Sequence, residues 1–215
     1  MKRQNEKPAD RRSRAADPLF DEHRSKYFDP KWNKTLVRVQ PGDHYITSHE
    51  DEMIVTILGS CVAACIRDPL AGVGGMNHFM LPESETGQWG STSANMRYGN
   101  YAMETLINEI LKAGGKRDRL EFKLFGGGNV IPGSSRVGDK NGHFALNYLK
   151  YEGFSPLAYD LGGPHPRRIH FNPQTGKVDR LLLKRTDDMR LLKDEENYRS
   201  KIPQQVDKAG EVDLF

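Results

Sequence analysis

The sequence has little with which to cross-link itself, hold a metal ion or enter a membrane. It contains two cysteines in 215 residues, too few for the disulfide framework of a small secreted fold. Cys61 and Cys65 have no second Cys or His pair at ligand spacing, so neither a metal site nor a cofactor is expected. No run approaches the roughly 18–20 consecutive apolar residues of a membrane-spanning helix. The opening Met-Lys-Arg-Gln-Asn-Glu-Lys-Pro lacks the apolar segment of a secretory signal. Charge of one sign is scarce too: 32 Lys plus Arg stand against 29 Asp plus Glu, a surplus too small to argue for nucleic acid. Together these absences predict a cytoplasmic protein with reduced thiols, no membrane insertion and no nucleic-acid partner.

Apolar residues are thin as well, at 36%, but the shortage is uneven. Residues 1–34 and 184–215 hold 19 of them in 66 positions, whereas 35–183 hold 58 in 149 together with 20 of the 21 glycines. The chain therefore divides into a polar N-terminal arm (1–34), partly disordered, a single domain (35–183) and a polar tail (184–215). Tyr27, Phe28 and Trp32 break the polarity of the arm and predict that it docks there. Leu191, Leu192 and Tyr198 give the tail a loose helical spacing, and no chemistry is assigned to it.

Within the domain, period-two runs predict strands at Thr35–Val39, His44–Thr47, Met53–Leu58, Ser60–Arg67, Val73–Leu81, Leu120–Phe125, Pro156–Tyr159, Arg168–Phe171 and Val178–Leu183. Helices are expected at Asn100–Ala113, stopped by Gly114-Gly115, and at Asn141–Tyr151. Strands that arrive as neighbouring hairpins favour antiparallel pairing over a doubly wound parallel sheet. The expected fold class is α/β, a layered arrangement of mainly antiparallel strands.

One local geometry follows from a turn. Asp68-Pro69 followed by Gly72 is a type I signature. A turn at Asp68–Ala71 places Cys61 opposite His78 on one face of an antiparallel pair, with Cβ atoms about 4.5–5.5 Å apart. A bulge at Gly72 would move the pairing by one residue and send the two to opposite faces. An imidazole beside a thiol can take its proton and leave a nucleophilic thiolate. Gly59 and Ser60 allow backbone N–H groups to approach an oxyanion. The same residues are open to a bland reading, a buried thiol beside a core histidine. Cys65, on the same strand face with no base assigned to it, reads as a small core residue. His165, Arg167, Arg168 and His170 form a basic group that reads as a solvated turn.

The run Met53-Ile-Val-Thr-Ile-Leu-Gly-Ser-Cys-Val-Ala-Ala-Cys-Ile-Arg-Asp-Pro69 and the following Gly72-Val-Gly-Gly-Met-Asn-His-Phe-Met-Leu-Pro82 resemble the CheD family of chemoreceptor glutamine deamidases. The likeness continues through Arg97-Tyr-Gly-Asn-Tyr-Ala-Met-Glu, Lys123-Leu-Phe-Gly-Gly-Gly-Asn129, Asp160-Leu-Gly-Gly163 and Phe171-Asn-Pro-Gln-Thr-Gly176, so it spans about residues 35–183. The resemblance implies hydrolysis of particular glutamines to glutamates on methyl-accepting chemotaxis receptors, with Cys61 as nucleophile and His78 as base and acid, through a thioester. It implies a layered α/β/β sandwich with helices on one face, similar to toxin-type cysteine deamidases.

The family's third residue is a threonine shortly before Gly-Ser-Cys that orients the histidine. It falls on Thr56, five residues before Cys61. Some members carry it six before, where this chain has Val55, so the role requires a bulge or a shorter loop at Ile57–Gly59. A β-former in a buried strand is the competing reading of Thr56. Arg97, Tyr98 and Asn129 lie in resembling segments as candidate lining of a substrate groove. The rival function is an adaptor that binds receptors or the chemotaxis phosphatase, as some relatives do. A methylesterase-type cysteine hydrolase is a further alternative, because the same thiolate could attack a methyl ester.

Overall fold

In the computed structural model the described residues are 25–82, 94–130, 136–183 and, in the tail, 195, 197, 198, 200 and 202. They form three layers. The first sheet holds β1 (Lys26–Asp29), β2 (Lys34–Arg38), β4 (Glu52–Leu58), β9 (Arg167–Phe171) and β10 (Val178–Leu182) in the order β1-β2-β4-β9-β10. The second holds β3 (His44–Thr47), β5 (Val62–Asp68), β6 (Val73–Asn77), β7 (Glu121–Gly126) and β8 (Ala158–Leu161) in the order β3-β6-β5-β7-β8. Helices α1 (Ala94–Lys112) and α2 (Val137–Tyr151) cover the outer face of the second sheet. Pairing is antiparallel except at β2–β4 and β7–β8. The architecture is the expected layered α/β/β sandwich, with mainly antiparallel strands and the helices on one face.

The middle sheet must be apolar on both faces, and β5 shows why its sequence runs Val-Ala-Ala-Cys-Ile without alternation. Val62, Ala64 and Ile66 point to the helices, where Leu106 and Ile110 of α1 and Phe144 and Leu149 of α2 close over them. Cys61, Ala63 and Cys65 point the other way, onto Ile54 and Leu58 of β4 and Ile169 and Phe171 of β9. The outer face of the first sheet carries a smaller cluster of Leu36, Met53 and Val55 with Tyr27 and Trp32 against it. That cluster explains β1. It lies within the polar 1–34 flank, because two aromatic residues there have an apolar surface to cover.

Several boundaries differ from the sequence pattern. α1 starts at Ala94 rather than Asn100; Gly99 hides the stripe, and a Cβ there would press on the Phe144 ring at 2.5 Å. β6 ends at Asn77, where backbone pairing with β5 is interrupted, while the His78 N–H keeps the register with β3 by donating to Asp43 O (3.0 Å). The Asn77 side chain takes the ladder's place: its Oδ1 accepts from Ala64 N (2.8 Å) and its Nδ2 donates to Ala102 O (3.0 Å), tying sheet to helix. Arg167, expected in a solvated turn, is buried and bonded to Asp160.

The β5–β6 turn is four residues, not two: Asp68 pairs with Val73 and Cys65 with Met76. The reason is the buried Asp68 carboxylate. It accepts from Leu70 N (2.9 Å), Ala71 N (3.0 Å) and Lys116 N (2.8 Å), and Arg119 forms an ion pair with it. The Gly72 N–H closes the turn on Asp68 O with φ at +63°. The Val62–Phe79 bridge preserves this register, so Met80 stands opposite Cys61 and His78 opposite Ala63. A slip of two residues keeps Cys61 and His78 on one face, now as diagonal neighbours.

The chain passes from the first sheet to the second at Gly59–Cys61, between β4 and β5. Gly127 N donates to Cys61 O and Gly128 N to Gly59 O, each at 2.7 Å. Gly126 has φ +114°, and a Cβ there would collide with the Cys61 carbonyl oxygen. Gly126→Ala is therefore expected to lower stability by about 2–4 kcal/mol through strain and displacement of this crossing. The urea midpoint checks this; a midpoint equal to wild type would show that the crossing yields without cost.

Candidate active site

Thr56, Cys61 and His78 come from three positions around the crossing; Thr56 bonds His78, and Cys61 is buried on the face of the second sheet turned toward the first. β4 pairs with β9 without interruption from Ile54 to Leu58, so Thr56 needs no bulge to face inward. Ile54, Thr56 and Leu58 share the inner face while Val55 packs in the outer cluster. The Thr56 hydroxyl donates to Val39 O (2.8 Å) and lies 2.8 Å from His78 Nδ1. A hydroxyl has one proton to give. With that proton on Val39 O, Thr56 accepts from Nδ1–H, which leaves the lone pair of His78 on Nε2. Nε2 is buried without a hydrogen-bond partner among the described residues. Burial outweighs the raising influence of the Val39 carbonyl and pushes the imidazole down to about 3, so it is neutral at physiological pH.

Cys61 is fully buried and His78 is 1% exposed. The crossing beside them turns three successive N–H groups the same way. Gly59 N (2.9 Å) and Cys61 N (3.2 Å) donate to Glu195 Oε1, and Ser60 N (3.0 Å) donates to Oε2. The Ser60 hydroxyl adds a bond to Oε2 at 2.7 Å. Such converging donors can hold an oxygen that carries or develops negative charge. Burial first, then the charge and hydrogen bonding of Glu195, hold the Cys61 thiol well above its ordinary value. Cys65, also buried, is pushed up by desolvation.

The candidate groove residues are spread more widely. Tyr98, on α1, is half-buried and its hydroxyl bonds that of Tyr198. Asn129 is exposed and its Nδ2 donates to Asp139 Oδ1 at 2.8 Å. Arg97 is exposed on α1. The structure brings Tyr98 to the site through its bond to Tyr198, and places Arg97 and Asn129 on the exposed surface.

Two further residues at the site stand outside the candidates drawn from the sequence. Asn141, fully buried on α2, donates to Ser60 O (2.8 Å) and accepts from Leu81 N (2.9 Å), pinning the crossing to the helix layer. Glu195 lies in the tail to which no chemistry was assigned. Its spacing to Tyr198 and Ile202 (three and seven) is that of one helix face, a signal visible once Tyr198 is taken with Ile202. Among the described residues no group of His, Cys, Asp or Glu is arranged to hold a metal ion, and no helix is long and apolar enough to cross a membrane.

Relatives of this chain are extensive. A protein of Rhodopseudomonas palustris (strain BisA53) named probable chemoreceptor glutamine deamidase CheD is 53% identical over 191 residues, 88% of this chain and 89% of that one. One of the same name from Thiobacillus denitrificans is 47% identical over 191 residues, 88% of this chain and 94% of its own. This chain belongs to the CheD family. The family's sequence model, described as CheD chemotactic sensory transduction, matches residues 80–180, beginning just past His78. Among solved structures, Neisseria meningitidis protein NMB0706 is similar over 57% of this chain with a TM-score of 0.35 and 10% identity.

In this CheD protein the buried neutral imidazole has a consequence for folding. Below about pH 6.5 the unfolded chain protonates His78 while the native state does not, so the unfolded state binds more protons and stability falls as pH falls. Between pH 7 and pH 4 wild type is expected to lose about 2–3 kcal/mol more than His78→Gln. His170, pushed down to about 4 chiefly by burial, contributes an acid loss common to both. Urea denaturation across that range checks the difference; parallel curves would remove the assignment of a buried neutral His78.

Proposed function

We propose that this protein hydrolyses glutamine side chains of methyl-accepting chemotaxis receptors to glutamates, with Cys61 as nucleophile and His78 as proton carrier. The observation that carries the reading is the free Nε2 of a buried histidine, oriented by Thr56 and set on the same sheet face as a cysteine whose neighbouring N–H groups converge on one anionic site. The names of the relatives supply the substrate class.

The chemistry follows from those groups. Nε2 takes the Cys61 proton, and the thiolate adds to the glutamine Cδ. Negative charge develops on the carbonyl oxygen, where the Gly59 and Cys61 N–H groups can meet it; donors that strengthen as charge grows lower the barrier rather than only binding the substrate. The imidazolium returns its proton to the nitrogen and ammonia leaves, giving a thioester. Water, deprotonated by Nε2, attacks that carbonyl, and the thiol leaves with the proton. The net change is glutamine plus water to glutamate plus ammonia. A neutral base at physiological pH suits the first step, because an already protonated imidazole could not accept.

Thr56 acts here through the tautomer it imposes. The sequence alternative at Val55 is disfavoured, since Val55 faces the outer cluster. Mapping of glutamine-to-glutamate mass changes on a receptor cytoplasmic fragment tests the reading. Wild type is expected to convert specific glutamines and Cys61→Ala none. Thr56→Val is expected to slow conversion about 10–100-fold while Thr56→Ser retains most of it. Conversion by Cys61→Ala at the wild-type rate would overturn the proposal.

A further inference from the structure

We propose that the tail segment carrying Glu195, Tyr198 and Ile202 is a tethered, product-like occupant of the substrate site, and that a receptor helix enters in the same register, with its glutamine at one position, an aromatic residue three later and an aliphatic residue seven later. The inference rests on the deamidase reading above and deepens it.

The fit of Glu195 is that of a product. Both of its carboxylate oxygens meet backbone N–H donors, one from Gly59 and Cys61 and the other from Ser60. A carboxamide has an NH2 where the carboxylate has its second acceptor, and a planar amide nitrogen has no lone pair to offer the Ser60 N–H. A tetrahedral nitrogen does. The same cradle thus favours the reacting centre over the bound amide, and the finished glutamate over both ends of an unreacted one.

The rest of the segment completes the match. Glu195, Tyr198 and Ile202 are helical and buried. Tyr198 and Ile202 pack in the cluster that contains Cys61 and Met80. The Tyr198 ring lies against Gly42, where a Cβ would meet its Cε2 at 2.7 Å, and its hydroxyl bonds Tyr98. Gly42 in turn holds the histidine's backbone, since its N–H donates to His78 O at 2.7 Å. An aromatic residue at the third position therefore touches both the helix layer and the loop that fixes His78. With these three side chains seated, Cys61 and His78 are shut from solvent, and a protein substrate reaches the thiol only when they leave. A carboxylate beside the thiol also opposes formation of the thiolate.

Full-length wild type, Glu195→Ala and Glu195→Gln separate the possibilities, using iodoacetamide labelling of Cys61 and Cys65 alongside receptor-fragment deamidation. Removing the carboxylate is expected to raise Cys61 alkylation at least about tenfold, as when a minor open state becomes the common one, with Cys65 unchanged, and to speed receptor conversion. In Glu195→Gln, Sγ would add to Cδ, ammonia would leave and water would cleave the thioester, so residue 195 is recovered as glutamate; the same chain with Cys61→Ala keeps glutamine. Equal alkylation in wild type and Glu195→Ala overturns the occupant. Faster alkylation with no glutamine converted anywhere leaves the occupant standing and defeats the deamidase reading. Receptor conversion with the side chain introduced by Glu195→Gln left unhydrolysed overturns the shared register.

Discussion

Everything at this site depends on one backbone constraint: the chain must leave one sheet and join another within three residues, and those residues have no ladder to satisfy their N–H groups. Buried donors require acceptors. At Gly59–Cys61 the carbonyls accept from Gly127, Gly128 and the Asn141 amide, while the three N–H groups are left aimed at the two oxygens of one carboxylate. A site for a negatively charged oxygen is thus a by-product of the crossing. The glycines of β7's end permit the close approach that holds it, which gives the Gly126–Gly128 run its structural reason.

The second constraint is polarity placed in an apolar interface. Thr56, His78 and the Val39 carbonyl form a short chain of bonds between two sheets otherwise joined by Ile54, Leu58, Ile169, Phe171 and Met76. Low polarity around the imidazole keeps it neutral, and the threonine's single proton decides which nitrogen is left open. Burial supplies the protonation state; the hydrogen bond supplies the direction.

Much of the fold was legible because β4 and β5 are central strands whose double burial demands unbroken apolar runs. The pairing of Cys61 with His78 was legible in face but not in register. A turn signature predicts two residues, whereas the buried carboxylate of Asp68, bonded to Arg119 and Lys116 from distant sequence, widens it to four. Thr56 looked out of phase because alternation was counted through the crossing, where it is reset. The reach of Asn141 and Glu195 was not legible for a different reason: a polar residue on a helix does not announce which loop its side chain will meet. Arg167, the first residue of β9, stands in a basic stretch that reads as solvated, and its partner Asp160 is one that period and composition cannot supply.

The depth of the crossing also works as a ruler. The thiol and the three N–H groups lie beneath the surface between two sheets, and the tail's side chain reaches them from a helix by means of two methylenes. An aspartate or asparagine on that same helix would stop one methylene short of the donors. For a receptor helix in the proposed register, discrimination between the two amide side chains needs no pocket that recognises one and rejects the other; the length of the stem, measured against the distance from helix to crossing, would be sufficient.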